Sequence, residues 1–246
     1  MARHGLDQGE FKLLNTFYRD QARALAGQRD LDVTIAALKP YIKSRDSVQE
    51  KAFLTRLKAS LVDKKGKTLE NKTLENTPGE VLHKLTKMQP ELAHWKVIDE
   101  NPELFLLGAQ TTYGLGKKEL TSLKLEVNDH LLHEWRKHVK YLWYQLEMLV
   151  ALWPNILKAW IKELKTLAQA LGRHHDLVLV EHAIREFIDP ELEDFAMTTL
   201  HELSIEKKSL EKDALILGAK IFSLRQACFY RMLAQCLPAK ETENRV

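Results

Sequence analysis

The stretch QALGRHHDLVLVEHAIREFI, residues 169–188, has a counterpart 146 residues earlier in the same chain, and this pairing decides the predicted fold. The earlier stretch is RALAGQRDLDVTIAALKPYI, residues 23–42, and the two align with Asp30 opposite Asp176. Apolar positions coincide along the alignment. Because a spacing of 146 residues is far longer than a solenoid repeat, the alignment indicates a duplicated helical bundle, with one copy in each half of the chain.

Each copy is predicted to contain a helix, a tight turn ending in the aspartate and a second helix. Asp30 and Asp176 would then lie at or near the N-terminus of the second helix. A carboxylate there accepts hydrogen bonds from free backbone N–H groups. We therefore interpret both aspartates as capping residues.

Helical periodicity covers most of the remaining sequence, and alternation of period two is absent. One helix is predicted to end at Lys39-Pro40. Asn128-Asp129 is a helix start signal, and Pro154, Asp189-Pro190 and Pro238 punctuate the later helices. The polar segment KKGKTLENKTLENTPG, residues 64–79, is predicted to be a loop that forms the boundary between the two halves of the chain. These signals predict an all-α fold.

The predicted all-α fold has two helical bundles related by internal duplication within one domain, residues 1–246. Residues 1–75 would form the N-terminal bundle, and residues 76–246 would form linker helices and the C-terminal bundle. The formal net charge is only +3, so a surface that binds anions must come from local clustering of basic residues.

Such clustering is found in HEWRKHVKYLWY, residues 133–144. At 100° per residue, one side of this helix is apolar and contains Trp135, Val139, Leu142 and Trp143. The opposite side holds a basic stripe within an arc of about 100°, which consists of His133, Arg136, Lys137 and Lys140 and is followed by Tyr144 and Glu147. An ordinary solvated helix alternates acids with bases at i, i+4, and this stripe reaches its acid only at its end. Because like charges repel at these spacings, the stripe predicts a polyanionic ligand.

Two metal hypotheses are weaker. His133 and His138 are five residues apart and point about 140° away from each other on a helix, so they do not share an ion. His174, His175 and Asp176 form a doublet of the type found in HD-type metal-dependent phosphohydrolases, but Gln28, Arg29 and Asp30 align with them and include no histidine. We predict no metal, no cofactor and no catalytic residue, with the phosphohydrolase kept as an alternative.

A combination of motifs resembles the CHAD family, the conserved histidine α-helical domains. The pattern H-x-x-R-K-x-x-K-x-L-x-Y-x-x-E lies at residues 133–147, LGRHHDL at 171–177 and LAGQRDLDV at 25–33. YGLGKK at 113–118 and SLRQACFYRML at 223–233 are similar to further family segments. The resemblance covers most of the chain.

The resemblance implies two four-helix bundles and non-catalytic binding of inorganic polyphosphate in the basic cleft between them. Its signature helix corresponds here to His133, Arg136, Lys137 and Lys140, with Trp143 where the family usually has arginine. Arg29 corresponds to the basic residue before the first aspartate, and His175 takes the second such position. Further basic residues on amphipathic segments are predicted to line the same cleft: Arg19, Arg23, Lys117, Arg225 and Arg231.

One expectation concerns the first bundle. The signature helix begins 43 residues before Asp176, whereas 29 residues precede Asp30, so we expect the first bundle to lack its first helix. A second copy of the chain or a partner helix would then complete it, or the chain is a fragment of a longer protein.

The expected partner is polyphosphate, and the expected location is the cytoplasm, with association with polyphosphate granules. No signal peptide and no apolar run of membrane-spanning length is visible, and Cys228 and Cys236 are read as free thiols of a reducing compartment. A nucleic-acid-binding helical protein is the nearest rival, although no known nucleic-acid-binding motif is visible.

Overall fold

The computed structural model describes residues 8–70, 77–93, 103–187 and 192–237, and every regular element in these ranges is helical. The predicted all-α class is therefore confirmed. A short 3₁₀ turn, Val150–Leu152, separates the fifth and sixth helices. The eight α-helices of the described ranges are α1 Gln8–Ser44, α2 Val48–Glu70, α3 Pro78–Ala93, α4 Glu103–Leu125, α5 Asp129–Met148, α6 Pro154–Phe187, α7 Glu193–Ile221 and α8 Gln226–Ala234.

Two helix starts follow the predicted signals. The side chain of Asn128 caps α5 by accepting a hydrogen bond of 2.9 Å from the backbone N–H of Leu131. Pro154 is the first residue of α6, where its missing N–H costs no intrahelical hydrogen bond. In contrast, α1 continues through Pro40 to Ser44, and α2 extends to Glu70 inside the predicted loop. The rest of that loop up to residue 76 lies outside the described residues.

The predicted turns before Asp30 and Asp176 are wrong, because α1 and α6 are continuous helices of 37 and 34 residues. Both aspartates lie inside a helix and cap no N-terminus. Gly27 and Gly172 lie inside these helices, and no glycine in the described ranges has positive φ. One glycine costs a helix only about 1 kcal/mol, which packing along a long helix offsets. The internal duplication is not confirmed and stays a prediction.

Two hydrophobic cores organise the described helices. The first joins α4, α5 and α8 with the N-terminal half of α6 and the C-terminal half of α7, and its largest side chains include Trp135, Tyr113 and Phe229. The second joins α1 and α2 with the other halves of α6 and α7, around Leu38, Phe53 and Leu54. The second core thus contains residues from both sides of the predicted boundary at residue 75, and the proposed division of the domain stays a prediction.

A polar layer separates the two cores. On α6, residues 172–176 lie between the last apolar residue of the first core, Leu171, and Leu177 of the second. On α7, the charged segment 206–211 lies between Leu203 and Ala214 in the same way. Since charged groups are costly in an apolar core, this layer is where α6 and α7 carry titratable side chains.

Cys228 and Cys236 are free, as predicted, and half-buried rather than buried. Within the described ranges, no helix is both long and apolar enough to cross a lipid bilayer.

The indole of Trp135, on α5, packs against α7 at a glycine. A Cβ atom built at Gly218 would lie 2.5 Å from two ring atoms of Trp135, whose side chain is fully buried. Gly66, in α2, has no neighbouring atom within 4 Å of such a Cβ. The same substitution should therefore have opposite effects at the two positions.

We expect Gly218→Ala to lower the free energy of unfolding by about 1–3 kcal/mol, because the indole of Trp135 must move inside a packed core. Gly66→Ala should raise it by about 0.5–1 kcal/mol through helix propensity. Urea unfolding followed by far-UV circular dichroism measures both values. Equal changes in the two variants would show that Gly218 is not a packing requirement.

Candidate anion-binding site between α5 and α6

Helix α5 has the two faces that the sequence predicts. Trp135, Val139 and Leu142 are fully buried in the first core. His133, Arg136 and Lys140 lie on the other side and are half-buried. His138 does not belong to the basic face, because its Nδ1 is 2.8 Å from Oε2 of Glu119 on α4.

A groove of about 350 Å³ runs between this basic face and α6. A Cβ atom at Gly172 would lie 3.6 Å from Nε of Arg136, so the guanidinium packs against the α6 backbone at this glycine. The groove is lined by Arg136, Lys140, Trp143, Ala168, Gln169, Gly172, Arg173 and Asp176. Trp143 is therefore only partly a core residue, since one side of it contacts the core and another lines the groove.

Arg136 is a half-buried cation of the groove. Its Nε is buried and has no hydrogen-bond acceptor in the part of the chain that the structure describes. Burial lowers the pKa of Arg136, and the positive charge of Arg29 on α1 lowers it further, while Asp176 opposes both. A guanidinium that is half removed from water and faces another cation favours an anionic ligand.

Two histidines lie next to this arginine. The rings of His133 and His175 have centroids 4.8 Å apart at an angle of 44°. Burial is the main reason why the pKa of each imidazole is lower than usual, and the nearby cation of Lys137 lowers that of His133 further. Both rings are therefore neutral near pH 7, and the buried Nδ1 of His133 has no partner in the described ranges.

Arg29, Arg173 and Asp176 complete the cluster. Burial raises the pKa of Asp176, and three arginines oppose this effect, namely Arg136, Arg173 and Arg29. Arg173 is not among the predicted site residues. The structure holds it at the groove through a 2.8 Å contact from Nε to Oε1 of Glu206.

Lys137 differs from its neighbours in the stripe. Its ammonium is 2.6 Å from Oε1 of Glu134, one turn earlier on the same helix. The interpretation that the stripe meets no acid before Glu147 is therefore wrong, because Glu134 neutralises Lys137 locally. This contact also lowers the pKa of Glu134.

Two of the other predicted cleft residues lie along α1, away from the groove. Arg19 and Arg23 both contact Asp20, at 3.5 Å and 3.9 Å. They precede Arg29 on the helix by about 15 Å and 9 Å along its axis. Of the three basic residues predicted on α1, Arg29 alone interacts with Arg136.

Three more predicted cleft residues lie at the α4–α8 end of the molecule, where α4 packs against α8. The ammonium of Lys117 donates hydrogen bonds to the carbonyls of Leu224, at 2.6 Å, and Ser223, at 3.3 Å, so it holds the chain that follows α7. Arg225 precedes α8, and Arg231 lines a separate pocket of about 650 Å³ beside Cys228 and Cys236. The structure does not bring these three residues to the groove.

The histidine doublet does not form a common metal site with Asp176. His175 faces His133, whereas Nε2 of His174 lies 3.0 Å from Oε1 of Glu211 and 3.7 Å from Oδ1 of Asp129. Lys207 also contacts Asp129, at 3.2 Å. This geometry speaks against an HD-type centre, in which the doublet would bind one ion together.

The fold and the groove define an all-α protein with a basic, partly buried surface between two helices. Comparison with family models matches residues 2–185 to the CHAD domain, which is about three quarters of the chain. The chain therefore belongs to the CHAD family, as the sequence motifs predict. No curated protein and no solved structure matches it.

We expect Arg136→Met to leave the free energy of unfolding unchanged or to raise it by up to about 1 kcal/mol, because the variant removes a half-buried cation without an acceptor at Nε. Arg45→Met is the matched control. Arg45 is 8% exposed and makes two hydrogen bonds of 2.6 Å to Glu202, so its loss should cost about 2 kcal/mol. Denaturant unfolding compares the two. A large decrease in the free energy of unfolding of Arg136→Met would show that Arg136 is a structural residue.

Proposed function

We propose that the chain binds inorganic polyphosphate in the groove between α5 and α6, as a binding module without catalysis. The observation that carries the proposal is Arg136, a half-buried guanidinium with a free Nε beside the cation of Arg29. Membership of the CHAD family supports it, because that family is associated with polyphosphate.

The chemistry of the ligand fits the residues of the groove. A linear polyphosphate carries negative charge along its whole length, so several cations can contact one molecule at once. Arg136 and Arg29 supply planar forked donors suited to phosphate oxygens, and Lys140 supplies a point charge. Affinity would arise from many contacts and from counterion release, as in protein–nucleic acid complexes, and it would fall steeply with salt.

We expect Arg136→Met/Lys140→Met to weaken binding of long-chain polyphosphate by about 10-fold for each lost contact at low salt. The slope of log affinity against log salt should decrease by about 2, one for each contact. Isothermal titration calorimetry over a salt series measures both quantities. Single-stranded RNA as a competitor distinguishes polyphosphate from nucleic acid.

Arg225→Met/Arg231→Met is the matched control, since it removes the same charge at the α4–α8 end. We expect this variant to bind like the unmodified chain. Equal losses in both variants would indicate attraction by net charge alone, and no loss in the groove variant would contradict the proposal. Stronger competition by RNA than by polyphosphate would favour the nucleic-acid alternative.

Acid should strengthen binding through His133 and His175. In the free protein, burial holds their pKa low, so the rings carry little charge at neutral pH. A bound polyanion stabilises the protonated form, so affinity should rise by several-fold as the pH falls from about 7.5 to 5.5. His133→Gln/His175→Gln should lose this dependence, and the exposed pair His83→Gln/His201→Gln should keep it. A pH profile that is the same in all three proteins would remove the histidines from the site.

The same linkage destabilises the free protein in acid. Because the folded pKa of each buried imidazole lies below its unfolded value, the unfolded chain binds protons more readily. The stability contributed by the neutral rings is present above the unfolded pKa and is lost as the pH falls below it. Polyphosphate should therefore protect the fold more strongly at pH 5.5 than at pH 7.5.

Several finer expectations stay predictions. They are a cytoplasmic location, association with polyphosphate granules, and a second chain or partner helix that completes the first bundle.

A further inference from the structure

A row of three lysines lies on the N-terminal half of α6. Lys158, Lys162 and Lys165 follow the spacing i, i+4, i+7, so their side chains fall within an arc of about 60° and extend over about 11 Å of helix. Glu163, the acid nearest to them in sequence, points about 100° away from Lys162. The first turn of α6 contains no acidic residue.

These lysines line a groove of their own. Its volume is about 450 Å³, and it lies between α6 and the C-terminal end of α5, with Glu147, Val150 and Ile161 as the remaining lining residues. Val150 and Ile161 give it an apolar floor that belongs to the first core. The ammonium groups therefore stand along the rim of a concave surface.

The lysine groove continues the groove of Arg136. The ammonium of Lys165 lies 5.0 Å from the ring centroid of Trp143, which lines the Arg136 groove. Gln169, Gly172 and Asp176 follow Lys165 on the same face of α6. One face of a straight helix thus borders both grooves, from Lys158 to Asp176, over about 27 Å.

Two of the three lysines are uncompensated. The ammonium groups of Lys158 and Lys162 form no hydrogen bond or ion pair with the described residues, whereas the ammonium of Lys165 lies 2.8 Å from Oε1 of Glu147. Like charges at i, i+4 on one helix face repel each other. The groove therefore holds concentrated positive charge that an anion would relieve.

We propose that Lys158, Lys162 and Lys165 form a second anion subsite, which continues the Arg136 groove and binds the distal part of a long polyanion. This inference rests on the proposed function. Only a polyphosphate molecule long enough to span about 27 Å along α6 contacts both subsites. The protein therefore selects long polyphosphate over short, because the second contact is intramolecular once the first has formed.

Glu147 has an opposite role in this subsite. The carboxylate of Glu147 forms an ion pair with the ammonium of Lys165. This contact is the main reason that the pKa of Glu147 is lowered. A phosphate that binds Lys165 must replace this carboxylate. Glu147 therefore weakens the distal subsite, and removing its charge should strengthen binding.

The test uses the full chain with two ligands, long-chain polyphosphate and tripolyphosphate. We expect Lys158→Met/Lys162→Met to lower the affinity for long chains by about 10-fold or more at low salt and to reduce the salt slope by about 2, with no change for tripolyphosphate. Glu147→Gln should raise the long-chain affinity by several-fold. Lys208→Met/Lys212→Met is the matched control, since it removes two exposed lysines at i, i+4 from α7, which lines neither groove.

The outcomes separate the two proposals. Unchanged long-chain affinity in Lys158→Met/Lys162→Met, with a loss in Arg136→Met/Lys140→Met, would overturn the second subsite and leave the proposed function standing. Equal losses in the α6 and α7 variants would also overturn it, because the effect would be net charge. Unchanged affinity in Glu147→Gln would exclude Lys165 from the subsite. If no variant binds long-chain polyphosphate more weakly than the unmodified protein, both proposals are overturned.

Discussion

Helices α6 and α7 each pass through both hydrophobic cores, and the rest of the structure depends on this arrangement. Each helix is apolar where it enters a core, and each has a short charged segment between the two, residues 172–176 on α6 and 206–211 on α7. Water is partly excluded from this layer, so its charges must be compensated by neighbours or held at a cost. The candidate site lies where this compensation is incomplete.

Pairing determines which basic residues are free for a ligand. Arg173 is held by Glu206, His174 by Glu211, and Lys207 by Asp129 and Glu181. These contacts join α6 to α7 and α7 to α5, and they align the helices. Arg136, in contrast, interacts with the carboxylate of Asp176 and also with the cation of Arg29. The layer is therefore divided into a compensated side toward α7 and a basic side toward α1 and α5.

The sequence predicts best what depends on a single helix. The two faces of α5, its cap at Asn128 and the exclusion of His138 follow from periodicity and local chemistry alone. The predicted turn before Asp176 is wrong, because residues 172–176 are a polar segment at which a continuous α6 passes from one core to the next. The contacts of Arg173 and Lys117 do not follow from the sequence, since their partners lie 33 and 107 residues away and only the packed helices bring them together.

A rigid helix is a suitable scaffold for a linear ligand with regularly repeated charge. On α6, residues on one face recur every three or four positions, so Lys158, Lys162 and Lys165 keep fixed separations that no loop could maintain. The buried side chains of Leu157 and Leu164 anchor α6 in the first core and so hold this face in place. Little conformational entropy of the backbone is lost when such a surface binds. The apolar face of α6 therefore supports the affinity of its basic face, and a mutation that loosens the first core should weaken polyanion binding without touching a single cation.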